Sequence, residues 1–200
     1  APSDDPGLAF QLPPSSMPES PALYARRLCV TAGCANDEDQ YSATILAVLP
    51  LQQLWDWAGQ HGRRADFDTK QSLVQLLAAA PVDFVLRIFL HGPGGSGKTY
   101  VMKEVVLKVY DKFCPSCVAA CAYQNSAARL INGVTMHAMA ALGRDSKSGL
   151  PENKPGAKAL ERLKTIWSPL VLVLADEVSM TSPGLLAVLS RSASWPAGGG

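Results

Sequence analysis

Residues 92–99 read Gly92-Pro93-Gly94-Gly95-Ser96-Gly97-Lys98-Thr99, a full match to the phosphate-loop pattern G-x-x-x-x-G-K-[ST]. This octapeptide restricts the fold more than anything else in the chain, because such a loop links a buried strand to the N-terminus of a helix. Its glycines let the backbone curl with N–H groups pointing inward, which makes residues 92–99 the expected phosphate cradle. Lys98 is the expected contact to the β- and γ-phosphates, and the Thr99 hydroxyl the expected Mg2+ ligand. The flanks agree. Residues 85–90 read as a buried strand, and residues 98–112 as a helix with Met102, Val105, Val106 and Val109 inward. A nucleoside triphosphate is the expected ligand.

The pattern around the loop predicts an α/β domain. Residues 70–80 are helix-like, with Leu73, Leu76, Leu77 and Ala80 on one face and Pro81 as the stop. Residues 117–122 read as a strand, 125–131 as a short helix, 157–167 as an amphipathic helix and 170–174 as a continuous apolar strand. Ser182-Pro183 has the form of a helix start, Ser as N-cap and Pro in the first turn. Alternating strands and helices, with strands apolar on both faces, imply a parallel sheet covered on both sides. Outside this region, residues 1–21 hold six prolines and read as a disordered leader. Residues 22–67 are expected to be partly helical without a motif, Trp55 and Trp57 being partly buried, and residues 191–200 a glycine-rich flexible tail.

The strand at 170–174 runs into Ala175-Asp176-Glu177. A carboxylate at the C-terminal end of a parallel strand lies on the edge where a phosphate loop opens. Asp176 is therefore expected to hold Mg2+ together with Thr99, and Glu177 to orient and deprotonate the attacking water. Two carboxylates there point to hydrolysis rather than binding alone. A GTPase needs N-K-x-D, and Asn153-Lys154-Pro155-Gly156 lacks the Asp.

Asp176-Glu177-Val178-Ser179-Met180 is narrower than a general acidic motif. It resembles the D-E-[IV]-S-M motif of superfamily-one DNA helicases of the Pif family (petite integration frequency helicases), which includes the Helitron-type members of rolling-circle transposons. Residues 122–137, from Ala122-Tyr123-Gln124-Asn125 through Ile131-Asn132-Gly133-Val134-Thr135-Met136-His137, are similar to that family's A-x-T-G-x-A-A-x-x-I-x-G-x-T-x-H segment. Trp167 also sits where these helicases often carry one. The resemblance covers roughly residues 68–190 and implies a RecA-like ATPase domain that takes ATP and Mg2+. It further implies 5′→3′ translocation on single-stranded DNA, roles in repair, recombination and telomere maintenance, and a nuclear or otherwise intracellular place. By the same resemblance Gln124, Asn125, Thr135 and His137 approach DNA, and Gln71, with Gln75 as alternative, reads adenine.

The chain departs from the family in two ways. Gln124-Asn125 replaces Thr-Gly, although Asn retains access to the left-handed conformation. After residue 190 no third motif and no second RecA-like domain follow, and Arg191 comes too early to be that domain's arginine. The expected reading is the N-terminal part of a helicase, a fragment or truncated product unable to unwind alone. A RecD-type helicase, which shares the Ser-Met, and a non-catalytic ATP-binding remnant are the alternatives.

A net charge of +1 gives no global field for nucleic acid, so DNA contact has to be local. Arg144, Lys147, Lys154, Lys158, Arg162 and Lys164 make a modest basic excess that suits either a phosphate backbone or solvent. No apolar run approaches the roughly 18 residues of a membrane span, and no secretory leader is visible. The five cysteines, Cys29, Cys34, Cys114, Cys117 and Cys121, together with a triphosphate site suggest a reducing compartment, and Cys114, Cys117 and Cys121 read as small buried thiols, since zinc takes four ligands and they supply three.

Overall fold

The computed structural model describes residues 19–80, 88–142 and 157–194. At its centre three parallel strands run in the order β2-β1-β3, with β1 Val118–Ala122, β2 Val134–Thr135 and β3 Leu172–Asp176. The alternation of β1 separates two cores. Ala120 and Ala122 pack with Leu107, Ala127, Ala128 and Ile131, whereas Cys121 packs with Met136, Met139, Leu185 and Val188. Helices therefore cover both faces, as the uninterrupted apolar strands require.

β3 begins two residues later than the apolar run predicts. The Leu170 N–H is spent on the Trp167 carbonyl, closing the turn after its helix, so strand pairing starts at Leu172. The strand expected at 85–90 fares differently. Residues 81–87 lie outside the described residues, and Ile88 to Leu90 pair with no described strand, which leaves Phe89 76% exposed.

Among the described residues, three α-helices precede the phosphate loop. α1 (Pro21–Ala32) is capped by Ser20 and ends at left-handed Gly33, φ 76°. The expected leader is thus corrected at its last residues: residues 1–18 lie outside the described residues, and Pro21 is the buried first residue of a helix. α2 (Glu38–Gln60) is capped by Asp37, and α3 (Lys70–Ala79) by Thr69. Pro50 lies buried inside α2, where its missing N–H leaves the helix without one ladder bond. Leu51, Leu54, Leu73 and Leu76 are fully buried in one core with Val109 and Tyr110, whose hydroxyl donates to the Ala47 carbonyl at 2.8 Å. Trp55 and Trp57 are partly buried against that core. Glu19 ties α1 to the sheet-side helix through Arg27 at 2.9 Å and Lys112 at 2.7 Å, and these cations hold its carboxyl below its ordinary range.

The helix after the phosphate loop is α4 (Lys98–Val101), a wider π segment Met102–Leu107, and α5 (Lys108–Phe113). Val105, Val106 and Val109 are buried as expected, but Met102 is only partly so. α6 (Asn125–Leu130) and α7 (Met136–Met139) follow β1 and β2. α8 (Ala157–Trp167) has the predicted bounds, and α9 (Pro183–Ser194) starts with the Ser182 hydroxyl accepting from the Leu185 N–H at 3.2 Å.

The cysteines need one correction. Cys29, Cys34 and Cys121 are free and buried, but Cys114 and Cys117 are joined as a disulfide. Cys114 ends α5, and Pro115–Cys117 forms a 3-10 turn that brings residues three apart over one another, with Cα atoms 5.5 Å apart.

Candidate active site

The phosphate loop curls because two of its glycines adopt left-handed conformations, Gly95 at φ 78° and Gly97 at φ 86°. Gly97 leads directly into α4, so the free N–H groups of that helix face the concavity. Lys98 folds back over the loop. Its Nζ donates to the carbonyls of Gly92 and Pro93, both at 2.8 Å, and to Ser96 Oγ at 3.1 Å. A Cβ on Gly92 would lie 2.9 Å from Ser96 Oγ, so a side chain there would require the Ser96 hydroxyl to move. Gly94 is exposed at the tip.

The acidic pair meets this loop. Asp176 is the last residue of β3, paired across from Ala122, and its Oδ2 accepts from Thr99 Oγ1 at 2.8 Å. Its Oδ1 accepts from the Glu177 N–H at 2.9 Å, so both carboxylate oxygens are fixed. Glu177 is exposed and has φ 54°, a left-handed conformation costly for a side-chain-bearing residue. It turns the chain from β3 into the 3-10 turn Val178–Met180. The Thr99 hydroxyl and Asp176 carboxylate are the hard oxygen donors that Mg2+ prefers. Among the described residues, no group of three or more His, Cys, Asp or Glu side chains is arranged to hold a metal. Two such donors fit Mg2+, which commonly takes one or two protein oxygens and fills its other positions with water and substrate phosphate.

The residues expected at DNA line the same sheet edge. Thr135 pairs with Ala122, which pairs with Asp176, so the three form one row across the C-terminal ends of the strands. At about 4.8 Å per strand, Thr135 lies roughly 10 Å from Asp176. Its hydroxyl accepts from the Ala138 N–H at 3.2 Å, capping α7. His137 is exposed in α7, with its ring 5.8 Å from that of Tyr123. Gln124 and Asn125 are exposed at the start of α6. Gln124 is extended and Asn125 helical, so the left-handed option is used instead by Asn132, φ 52°. Gly133 follows, where a Cβ would collide with the Ala120 carbonyl. Of the basic excess, residues 143–156 lie outside the described residues, while Lys158 and Arg162 are exposed on α8.

Gln71 and Gln75 are exposed on α3. Among the described residues, the glutamine hydrogen-bonded to the phosphate loop is Gln40, whose Nε2 donates to the Ser96 carbonyl at 2.7 Å. Sequence reasoning missed it. The run Asp37-Glu38-Asp39 marks a helix N-terminus, but nothing local indicates a contact 56 residues away.

The family model described as PIF1-like helicase matches residues 68–194. A protein of Emericella nidulans named "ATP-dependent DNA helicase PIF1" is 33% identical over 108 residues, covering 53% of this chain and 14% of that protein. A protein of the same name from Candida albicans is 32% identical over 109 residues, covering 53% of this chain and 12% of that protein. The chain thus spans a small fraction of these relatives' length. No solved structure matches it at a comparable level of significance. A parallel sheet with helices on both faces, and a phosphate loop and an acidic strand tip meeting at one edge, is the RecA-like arrangement the match calls for. The chain belongs to the PIF1-like helicase family.

Proposed function

We propose that this chain binds ATP·Mg2+ between the phosphate loop and the tip of β3, and that hydrolysis there is coupled to single-stranded DNA lying along the same sheet edge. One observation carries this reading: the 2.8 Å bond from Thr99 to Asp176, which brings together two motifs 77 residues apart. In the proposed complex, residues 92–99 cradle the phosphates and Lys98 leaves its own loop's carbonyls for the β- and γ-phosphates. Thr99 and Asp176 hold Mg2+, and Glu177 takes the proton of the attacking water. DNA passes Gln124, Asn125, Thr135 and His137. Gln71 is the proposed adenine contact, supported only by resemblance.

The 5′→3′ direction and the roles in repair, recombination and telomere maintenance are proposed on the family likeness alone. An arginine supplied by a second RecA-like domain accelerates such reactions by about 10³–10⁵. We infer that strand separation requires such a domain. The deciding measurement is ATP hydrolysis with and without single-stranded DNA. Stimulation by DNA supports the helicase reading. Tight ATP binding with no turnover under any condition would favour a nucleotide-binding remnant instead.

A further inference from the structure

Gln40 lies outside the segment matched by the family, residues 68–194, and in a helix for which the sequence offers no role. Its amide nitrogen makes two hydrogen bonds, to Asp37 Oδ2 at 2.9 Å and to the Ser96 carbonyl at 2.7 Å. Both partners are pure acceptors, so both amide protons are spent and the orientation of the side chain is determined. Asp37 is itself held, because its Oδ1 caps α2 by accepting from the Gln40 N–H at 3.0 Å. The side chain is thus anchored at its base by the first turn of α2 and presents a fixed donor to the loop.

The Ser96–Gly97 peptide is trans, as are the other described peptide bonds. In a planar trans peptide the C=O and N–H point in opposite directions. Holding the Ser96 carbonyl toward α2 therefore aims the Gly97 N–H away from α2. Gly97 is left-handed at φ 86°, and a Cβ on it would stand 3.9 Å from Gln40 Oε1. The Gln40 amide thus backs the loop at the residue where it enters α4. Lys98 makes its bonds to Gly92, Pro93 and Ser96 Oγ and leaves the Ser96 carbonyl to Gln40.

We propose that Gln40 is a positioning residue of the nucleotide site: it sets the Ser96–Gly97 peptide so that the Gly97 N–H is presented to a phosphate oxygen before the nucleotide arrives. The α1–α2 layer is then part of the ATP-binding device rather than a passive support. The proposal rests on the reading that residues 92–99 bind a triphosphate, and the test separates the two.

The test uses the 200-residue chain, with ATP·Mg2+ and ADP·Mg2+ affinities measured by titration for wild type, Gln40→Glu, Gln40→Met and Lys98→Ala. Glu keeps the shape and loses the donor; Met keeps the length and loses all polarity. Loss of one preorganised hydrogen bond predicts affinities weaker by roughly 3- to 10-fold in both Gln40 variants, with the Gly97 amide resonance displaced. If Gln40 merely anchors α2, both variants unfold at lower temperature but keep wild-type affinity and an unmoved Gly97 amide, which overturns the proposal. If Lys98→Ala binds as wild type does, the triphosphate reading itself fails, independently of Gln40. The unmodified chain gives a check that no folding defect can obscure. The Gln40 side-chain protons should exchange with water more slowly than those of exposed Gln53 and shift on addition of ATP·Mg2+. Equal exchange and no shift would overturn the proposal as well.

Discussion

Thr99 and Asp176 are 77 residues apart in the chain and share a 2.8 Å hydrogen bond. The bond spans from the first turn of α4 to the last residue of β3, so the phosphate loop and the acidic strand tip sit on one edge of the sheet. In the proposed complex with Mg2+, the same bond would hold the two oxygen donors together in advance and so lower the cost of ordering them.

Lys98 is the first test of the assignment. Lys98→Ala is expected to reduce ATP turnover about 100-fold or more, as removal of a preorganised charge-stabilising group does. It also strips the Gly92 and Pro93 carbonyls of their donor, so a small loss of thermal stability should accompany it. Unchanged steady-state turnover would remove the basis for placing the chemistry here.

Glu177 separates activity from stability. Glu177→Gln should retain ATP affinity while lowering turnover by about 10²–10⁴, the usual contribution of a general base. Glu177→Gly should abolish turnover equally yet raise the unfolding midpoint, because glycine accepts φ 54° without the roughly 1 kcal/mol or more that a side chain pays there. A midpoint that falls instead would mean the side chain stabilises the turn.

Gly133 is held by sterics rather than by chemistry. Gly133→Ala would force a methyl group against the Ala120 backbone in the middle of β1 and is expected to destabilise the fold by about 1–3 kcal/mol. Urea denaturation of the variant checks this, and a loss within experimental error would show that the loop before β2 yields freely.

Alkaline pH should weaken the fold through its buried thiols. Burial pushes the Cys121 thiol from its ordinary 9.0 up to about 11, and desolvation, reinforced by Cys34, raises Cys29 to about 12. The folded state then keeps protons that the unfolded state has released. The associated stability is complete below pH 9 and is lost as pH rises through about 11. For Cys121, a rise of two units at about 1.36 kcal/mol each, this amounts to about 3 kcal/mol. Comparing denaturation midpoints at neutral and alkaline pH for wild type and Cys121→Ala isolates that share; parallel profiles would exclude it.

Thr135 has both an expected DNA contact and an observed cap. Thr135→Ala should cost about 0.5–2 kcal/mol of stability, and Thr135→Ser should restore it. If DNA stimulation of hydrolysis returns along with stability in the serine variant, the hydroxyl serves both purposes. Stability restored without stimulation would point to the threonine methyl.

Several elements were legible in the chain itself. The bounds of α8 and the start of α9 follow from apolar spacing and the Ser182-Pro183 signal, and β1 from a short apolar run. The phosphate loop and the acidic pair announce themselves because each works through local backbone geometry that few residues permit. β3 was displaced by two residues because a turn bond at Leu170, invisible in hydropathy, claims the first strand N–H.

Sequence alone therefore determined which groups are candidates to hold a triphosphate, since glycine freedom, strand alternation and helix capping act over a few neighbouring residues. Folding in three dimensions decided which of them meet. Thr99 on Asp176, Gln40 on Ser96 and the row of Thr135, Ala122 and Asp176 depend on how strands and helices pack. Even the Cys114–Cys117 link, short in sequence, required the 3-10 turn at the end of α5. Contacts of this kind arise from burial shared across distant segments, and no local propensity encodes them.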